Sequence, residues 1–232
     1  MTKQTQASES TAVTTFNPAA MLAAQAIADA GLGNENVAAE DQLIPRLVLL
    51  QAMSPEVTRG SEKYIEGAQP GLLMNTLTED FFEAVYCVNL HFTREYTVWR
   101  KRDAGGGMLG SFDTEELARE ALKDPTIDPK QYDIQETHNH LLVLLDENGE
   151  IKTPVLCQMS GSKLRVSRQW NSMPQIREAA RFASVWTLSS KPAKAPNGAV
   201  YYNFDIEFAG NAGDALYAQL KKVYEDFGLM KQ

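Results

Sequence analysis

Cysteine is nearly missing from this 232-residue chain: Cys87 and Cys157 are the only two, each inside an apolar run. With no Cys-x-x-Cys pair and no cysteine–histidine cluster, a disulfide and a metal site are both disfavoured. The two thiols read as buried in a reducing compartment. No stretch approaches the roughly 18 apolar residues that a membrane span needs. Residues 1–16 lack the apolar centre of a secretory signal, so a cytoplasmic protein with no membrane partner is expected. Histidine is scarce as well. His138 and His140 would share a face on a strand, but no further ligand sits at a suitable spacing. They read as surface histidines, and neither a metal nor another cofactor is expected. Gly105-Gly106-Gly107 is not followed by the Gly-Lys-Ser/Thr of a phosphate loop. Ser160-Gly161-Ser162-Lys163 reads as a helix start rather than a Ser–Lys nucleophile. Without a clustered Asp/Glu/His set, a hydrolase or nuclease is disfavoured, and the expectation is a protein that is not an enzyme.

What the chain does have is polarised charge. The net charge is −8, which at first argues against a nucleic-acid partner. Segment 103–150 holds twelve acids against three bases, a net of −9. Segment 160–194 holds seven bases against Glu178 alone, a net of +6, and segment 94–102 adds +3. Such separation suggests one basic working face and an acidic remainder.

Residues 1–41 form a polar arm. Asn17-Pro18 opens an Ala-rich run over 19–30 with helical character, stopped at Gly31. The domain proper is expected over 42–211, followed by a C-terminal helix within 212–232. Ile44–Gln51 is a strand or a short buried segment, and Leu72–Leu77 a strand. Phe81–Arg102 is the strongest β segment, with a bend or break expected near Thr93. Asp113 and Glu116 have capping-box spacing for a helix over 114–123. Tyr132–Leu145 is a second long strand, and Asn148-Gly149 turns it into Ile151–Met159. A helix from Ser160 or Ser162 is expected to break at Pro174 and resume over 175–181. Phe182–Ser189 reads as a strand, Lys191–Gly198 as a mobile loop, and Val200–Phe208 as a strand. Asp214–Phe227 carries Leu216, Leu220, Val223 and Phe227 in one apolar stripe, which packs on the domain or joins a second copy in a homo-oligomer. No βαβ rhythm or repeat appears. The fold class is therefore α+β, mainly antiparallel: an OB-like small barrel or curved sheet with inserted helices and a C-terminal helix.

Three elements mix cations with rings, the combination that meets phosphates and stacks the bases of a single strand. On the first, alternation puts Arg94, Tyr96, Val98, Arg100 and Arg102 on one face, with Thr97, Trp99 and Lys101 on the other. The second is Lys163 to Trp170. As a helix it exposes Arg165 and Arg168 with Lys163 to one side; as a strand it aligns Lys163, Arg165 and Ser167. The third is the hairpin bearing Lys191 and Lys194, followed by Tyr201, Tyr202 and Phe204. Arg94, Arg100, Lys101, Arg102, Lys163, Arg165, Arg168, Lys191 and Lys194 would meet phosphates. Tyr96, Trp99, Trp170 or Tyr202 would stack bases.

The run from Ser160 to Gly210, with Gly161-Ser162-Lys163-Leu164-Arg165 ahead of Trp170-Asn171 and strands after it, resembles the single-stranded-DNA-binding proteins of tailed phages. The polar arm, Pro-rich early segment and Gly-rich loop are similar too. The resemblance implies an OB-fold, no enzymatic activity, and contacts with replication or recombination enzymes. The chain departs from it at its end: Glu225-Asp226-Phe227-Gly228-Leu229-Met230-Lys231-Gln232 is not a strongly acidic tail. The other expectation, from a different class, is a phage-encoded interaction or inhibitor protein whose acidic face docks a host enzyme.

Overall fold

The computed structural model describes residues 43–227 without a break, and 29, 32, 33 and 35–37 before them. The helix expected over 19–30 and the final residues 228–232 lie outside the described residues, Asp29 excepted, which is in a turn. The chain divides into two compact units, 1–43 and 44–232. In the first, Leu32 N donates to Asp29 O at 3.0 Å. The second carries everything that follows.

Its centre is β4 (Ala84–Arg100), whose β-branched and aromatic density favours a pleated, half-buried surface. Along one side it pairs with β6 (Tyr132–Leu145) for nearly its whole length. Along the other, β8 (Ser184–Lys194) takes its first part and β5 (Met108–Phe112) its last. β7 (Ile151–Ser160) continues the sheet beyond β6, and β9 (Val200–Asn211) beyond β8. Every strand pairing is antiparallel. The edge strands β7 and β9 do not pair with each other, so the sheet stays open and the barrel alternative is not realised. A smaller sheet of β1 (Leu47–Leu49), β2 (Leu73–Asn75) and β3 (Phe81–Phe82) lies beside it. β1 touches both edges of the large sheet. Arg46 bridges Leu156 of β7, while the Gln51 amide donates to Tyr202 O at 3.0 Å and accepts from Tyr202 N at 2.9 Å. That two-point contact gives the β9 edge what a neighbouring strand would give, and blunts it against stray pairing.

Several expected boundaries moved. β4 passes through Thr93, which pairs with Asn139; its irregularity is a bulge between Asn89 and His91. The helix α1 (Glu115–Ala121) is capped by Thr114, whose Oγ1 accepts from Leu117 N at 3.2 Å, not by Asp113. The helix α2 (Leu164–Ile176) runs through Pro174 instead of breaking there. Proline this near a helix end removes a single hydrogen bond. The chain turns at Glu178, with φ 51, and does not resume the helix. β8 extends through Lys194, so the loop expected over 191–198 contracts to the turn closed by Gly198 N and Ala195 O.

The helix α3 (Asp214–Asp226) settles how the C-terminal stripe is used. Successive strand residues face opposite ways, so the sheet has two buried faces. One holds Val85, Cys87, Leu142, Leu144 and Leu188 beneath Trp170 of α2. The reverse holds Val88, Leu90, Leu141 and Val143 with Phe182, beneath Leu216, Leu220 and Val223 of α3. The stripe is thus spent within the chain, at about 1.5–3 kcal/mol for each fully buried side chain. Of the two uses open to the stripe, packing on its own domain is the one seen, and Phe227 alone of that set is left exposed.

Candidate nucleic-acid interface

Directly opposed residues of an antiparallel pair share a face. Past the bulge, β4 sets Phe92 opposite His140, Arg94 opposite His138, Tyr96 opposite Glu136 and Phe112, and Arg100 opposite Tyr132. The Arg94 guanidinium lies 5.7 Å from the Tyr96 ring centre, and Arg100 donates to Gln131 Oε1 at 3.2 Å. Trp99 and Lys101 belong to the reverse side: Trp99 pairs with Asp133 and Met108, and Lys101 forms an ion pair with Asp133 at 3.6 Å. Arg102 leaves the strand for a short 3-10 turn over 102–104. A single groove therefore cannot contain both Tyr96 and Trp99.

The second element joins the first. Arg165 and Arg168 are exposed on the outer surface of α2, and Arg168 donates to Glu136 Oε2 at 2.9 Å. Because Glu136 is the cross-strand neighbour of Tyr96, this contact brings the α2 ridge to the Arg94–Tyr96 face. Two residues that the sequence did not single out for the site complete the group. Arg181 sits 5.5 Å from the Phe92 ring centre and donates to Asn171 Oδ1 at 2.9 Å. Burial holds its guanidinium below the ordinary arginine pKa. Arg181 was visible only as one charge within the +6 segment, and Phe92 only as one ring in a β-dense run.

Other predicted residues fall elsewhere. Trp170 is 2 % exposed, stacked on His140 with ring centres 4.9 Å apart and set edge-on to Trp186 at 6.1 Å. It is core and offers no face to a base. Lys163 turns inward, its Nζ 5.3 Å from the Phe204 ring centre. Lys191 pairs with Asp205 at 2.6 Å. The Tyr202 ring packs so closely on Gly71 that a Cβ there would come within 2.6 Å of it. Lys194 is exposed at the end of β8. Ala84 pairs with Ser189, so these lysines extend past the start of β4. Arg94 lies ten residues the other way, about 33 Å along an extended strand. The third element is not part of the ridge.

Under the ridge runs a buried polar relay. His138 and His140, expected at the surface, are both buried. Ser167 Oγ lies 2.6 Å from His138 Nδ1 and 2.7 Å from His140 Nε2, and His138 Nε2 lies 3.0 Å from Glu136 Oε1. The Asn89 amide is satisfied in one orientation: Nδ2 donates to His91 O at 3.1 Å, while Oδ1 accepts from His140 Nδ1 at 2.9 Å and from Arg181 at 3.3 Å. Assigning amides by their network in this way fixes the sense of every later bond. His140 Nδ1 carries the proton, so Ser167 donates to His140 Nε2 and accepts from His138 Nδ1. Burial, then the nearby Arg181 and His138, depresses His140 to a pKa of about 3. A serine, a histidine and a glutamate in series are the members of an acyl-transfer triad. Here the hydroxyl is 0 % exposed and engaged by two imidazoles, which leaves no approach for a carbonyl. The relay ties α2 to the sheet. Among the described residues no group of three or more His, Cys, Asp or Glu is arranged to hold a metal ion, and none of their helices is long and apolar enough to cross a membrane. Cys87 and Cys157 are free and buried, with desolvation raising the Cys157 thiol to about 12.

The wing of β4, β5 and α1 presents a different surface. Trp99, Met108, Leu109 and Leu117 are all exposed there, the last three in the acid-rich segment 103–150. The model of one family, described as Pam3 phage gp34-like protein, matches residues 10–231. No curated protein and no solved structure matches the chain. The chain belongs to the Pam3 phage gp34-like family, a phage protein family.

Proposed function

We propose that this member of the Pam3 phage gp34-like family binds single-stranded DNA in phage replication or recombination, in the cytoplasm of the bacterial host, without catalysing a reaction on it. The observation that supports this reading is the contact between Arg168 and Glu136, which gathers Arg94, Tyr96, Arg165 and Arg168 on one side of the molecule. Arg94, Arg100, Arg165, Arg168 and Arg181 meet phosphates, while Tyr96 and Phe92 supply rings, each stacked base being worth about 1–3 kcal/mol. Replication or recombination enzymes are the expected protein partners. A titration of labelled oligo(dT) against duplex competitor across a salt series tests the reading. Single-strand preference and a log–log salt slope of about −0.7 per neutralised phosphate are expected. Combining Arg94→Glu with Arg165→Glu should weaken binding at least about tenfold at unchanged thermal stability. Absence of binding at low salt removes the proposal.

A second reading, docking of a host enzyme on the acidic wing, is favoured by exposed Leu117 among the carboxylates of segment 103–150, with exposed Trp99 on the same wing. It predicts that Trp99→Ala with Leu117→Ala abolishes association with that enzyme and leaves oligonucleotide titrations unchanged.

A further inference from the structure

A cavity of about 80 Å3 opens between β1 and β7. Leu47, Leu49 and Leu156 give it apolar walls, and Arg46, Lys163 and the Gln158 amide supply its polar ones; no carboxylate lines it. Neither cation has an ion-pair partner among the described residues. Arg46 uses its backbone to bond Thr76, and Lys163 has the Phe204 ring as its neighbour. Gln158 Nε2 donates to Asn139 Oδ1 at 3.0 Å and to Glu95 Oε1 at 3.5 Å. From this we propose that the cavity is a binding site for a phosphate-class oxyanion, held between Arg46 and Lys163.

The physical case is one of uncompensated charge. Two cationic side chains line one small space that has no carboxylate among its walls; Lys163 is partly withdrawn from water, while Arg46 is exposed. Burial already holds the Lys163 ammonium below the ordinary lysine pKa. An oxyanion offsets the desolvation of Lys163 and gives both cations an opposite charge. The chemistry also fits: a planar guanidinium fork beside a point-charge ammonium suits the several oxygens of a tetrahedral anion. Size agrees as well. About 10–15 Å3 of such space is enough to hold one water, so a cavity of about 80 Å3 has room for one compact oxyanion. The site stands apart from the single-strand reading, since the phosphate is either free or part of a polynucleotide backbone.

The experiment titrates the full chain with inorganic phosphate by calorimetry at constant ionic strength, with chloride as control. Wild type should bind one phosphate per chain and show no heat with chloride. Lys163→Met and Arg46→Met should each weaken phosphate binding at least about tenfold, the loss of one charge-assisted contact. Lys163→Arg, which keeps the charge, should retain it. If a backbone phosphate is the ligand, phosphate competes with oligo(dT) and Lys163→Met weakens the oligonucleotide too. If free phosphate is the ligand, oligo(dT) titrations of wild type and Lys163→Met coincide while phosphate binding still depends on Lys163. Wild type taking phosphate no better than chloride overturns the site, as do unaltered affinities in both methionine variants. Should Lys163→Met fail to fold, Arg46→Met and Lys163→Arg decide. Failure of wild type to bind oligo(dT) while phosphate binding persists would remove the single-strand reading and leave this one intact.

Discussion

Arg168 on α2 and Glu136 on β6 are joined at 2.9 Å, and the same carboxylate meets His138 at 3.0 Å through its other oxygen. One side chain thus links a surface cation to a buried imidazole. It holds the ridge together and also neutralises part of its charge.

Glu136→Gln should separate those two roles. Stability should fall by about 1 kcal/mol in urea unfolding, because the partly buried hydrogen bond to His138 is weakened. Affinity for oligo(dT) should rise about two- to fivefold, since Arg168 and Arg94 lose a competing anion. A parallel fall of both quantities would show that Glu136 only supports the fold.

Ser167→Ala removes the hydroxyl that both imidazoles share. Two buried ring nitrogens lose their partner, so unfolding free energy should drop by about 2–3 kcal/mol. Unchanged stability in a chemical denaturation series would contradict the relay.

The pH dependence follows from His140. Its folded pKa of about 3 lies below the ordinary 6.5, so between those values the unfolded chain binds a proton that the folded one refuses. Stability from this group is complete above about pH 6.5 and is lost as pH falls, by up to about 1.4 kcal/mol per unit. The urea midpoint should drop from pH 7 to pH 5, and His140→Gln should flatten that slope. An equally steep slope in the variant would assign the acid sensitivity elsewhere.

The tryptophans should divide sharply. Trp170→Ala opens the core and should cost about 3–5 kcal/mol. Trp99, 42 % exposed, should tolerate alanine within about 1 kcal/mol and leave oligo(dT) binding unaltered, because it lies behind the Arg94–Tyr96 face. Loss of oligonucleotide affinity in Trp99→Ala would move the interface to the reverse of the wing.

Local signals carried much of the fold. β-branched and aromatic density placed β4 and β6, Asn148-Gly149 placed their turn into β7, and the stripe of Leu216, Leu220 and Val223 placed α3. Period-two alternation also put Tyr96 and Trp99 on opposite faces. These depend on neighbours within a few residues, which a sequence displays directly. The site was less legible. Lys163, Arg165 and Arg168 look equivalent in one dimension, yet one turns to a ring, one stays exposed and one pairs with a carboxylate thirty-two residues away.

The sequence by itself determined element types, strand faces and the charge polarity of this protein, because those follow from side-chain period and composition. Tertiary structure alone decided which cations share a surface, that Trp170 and both paired histidines go inside, and that α3 closes on its own sheet. Strand register and helix docking make those choices through contacts between residues far apart in the chain, and no local pattern encodes them.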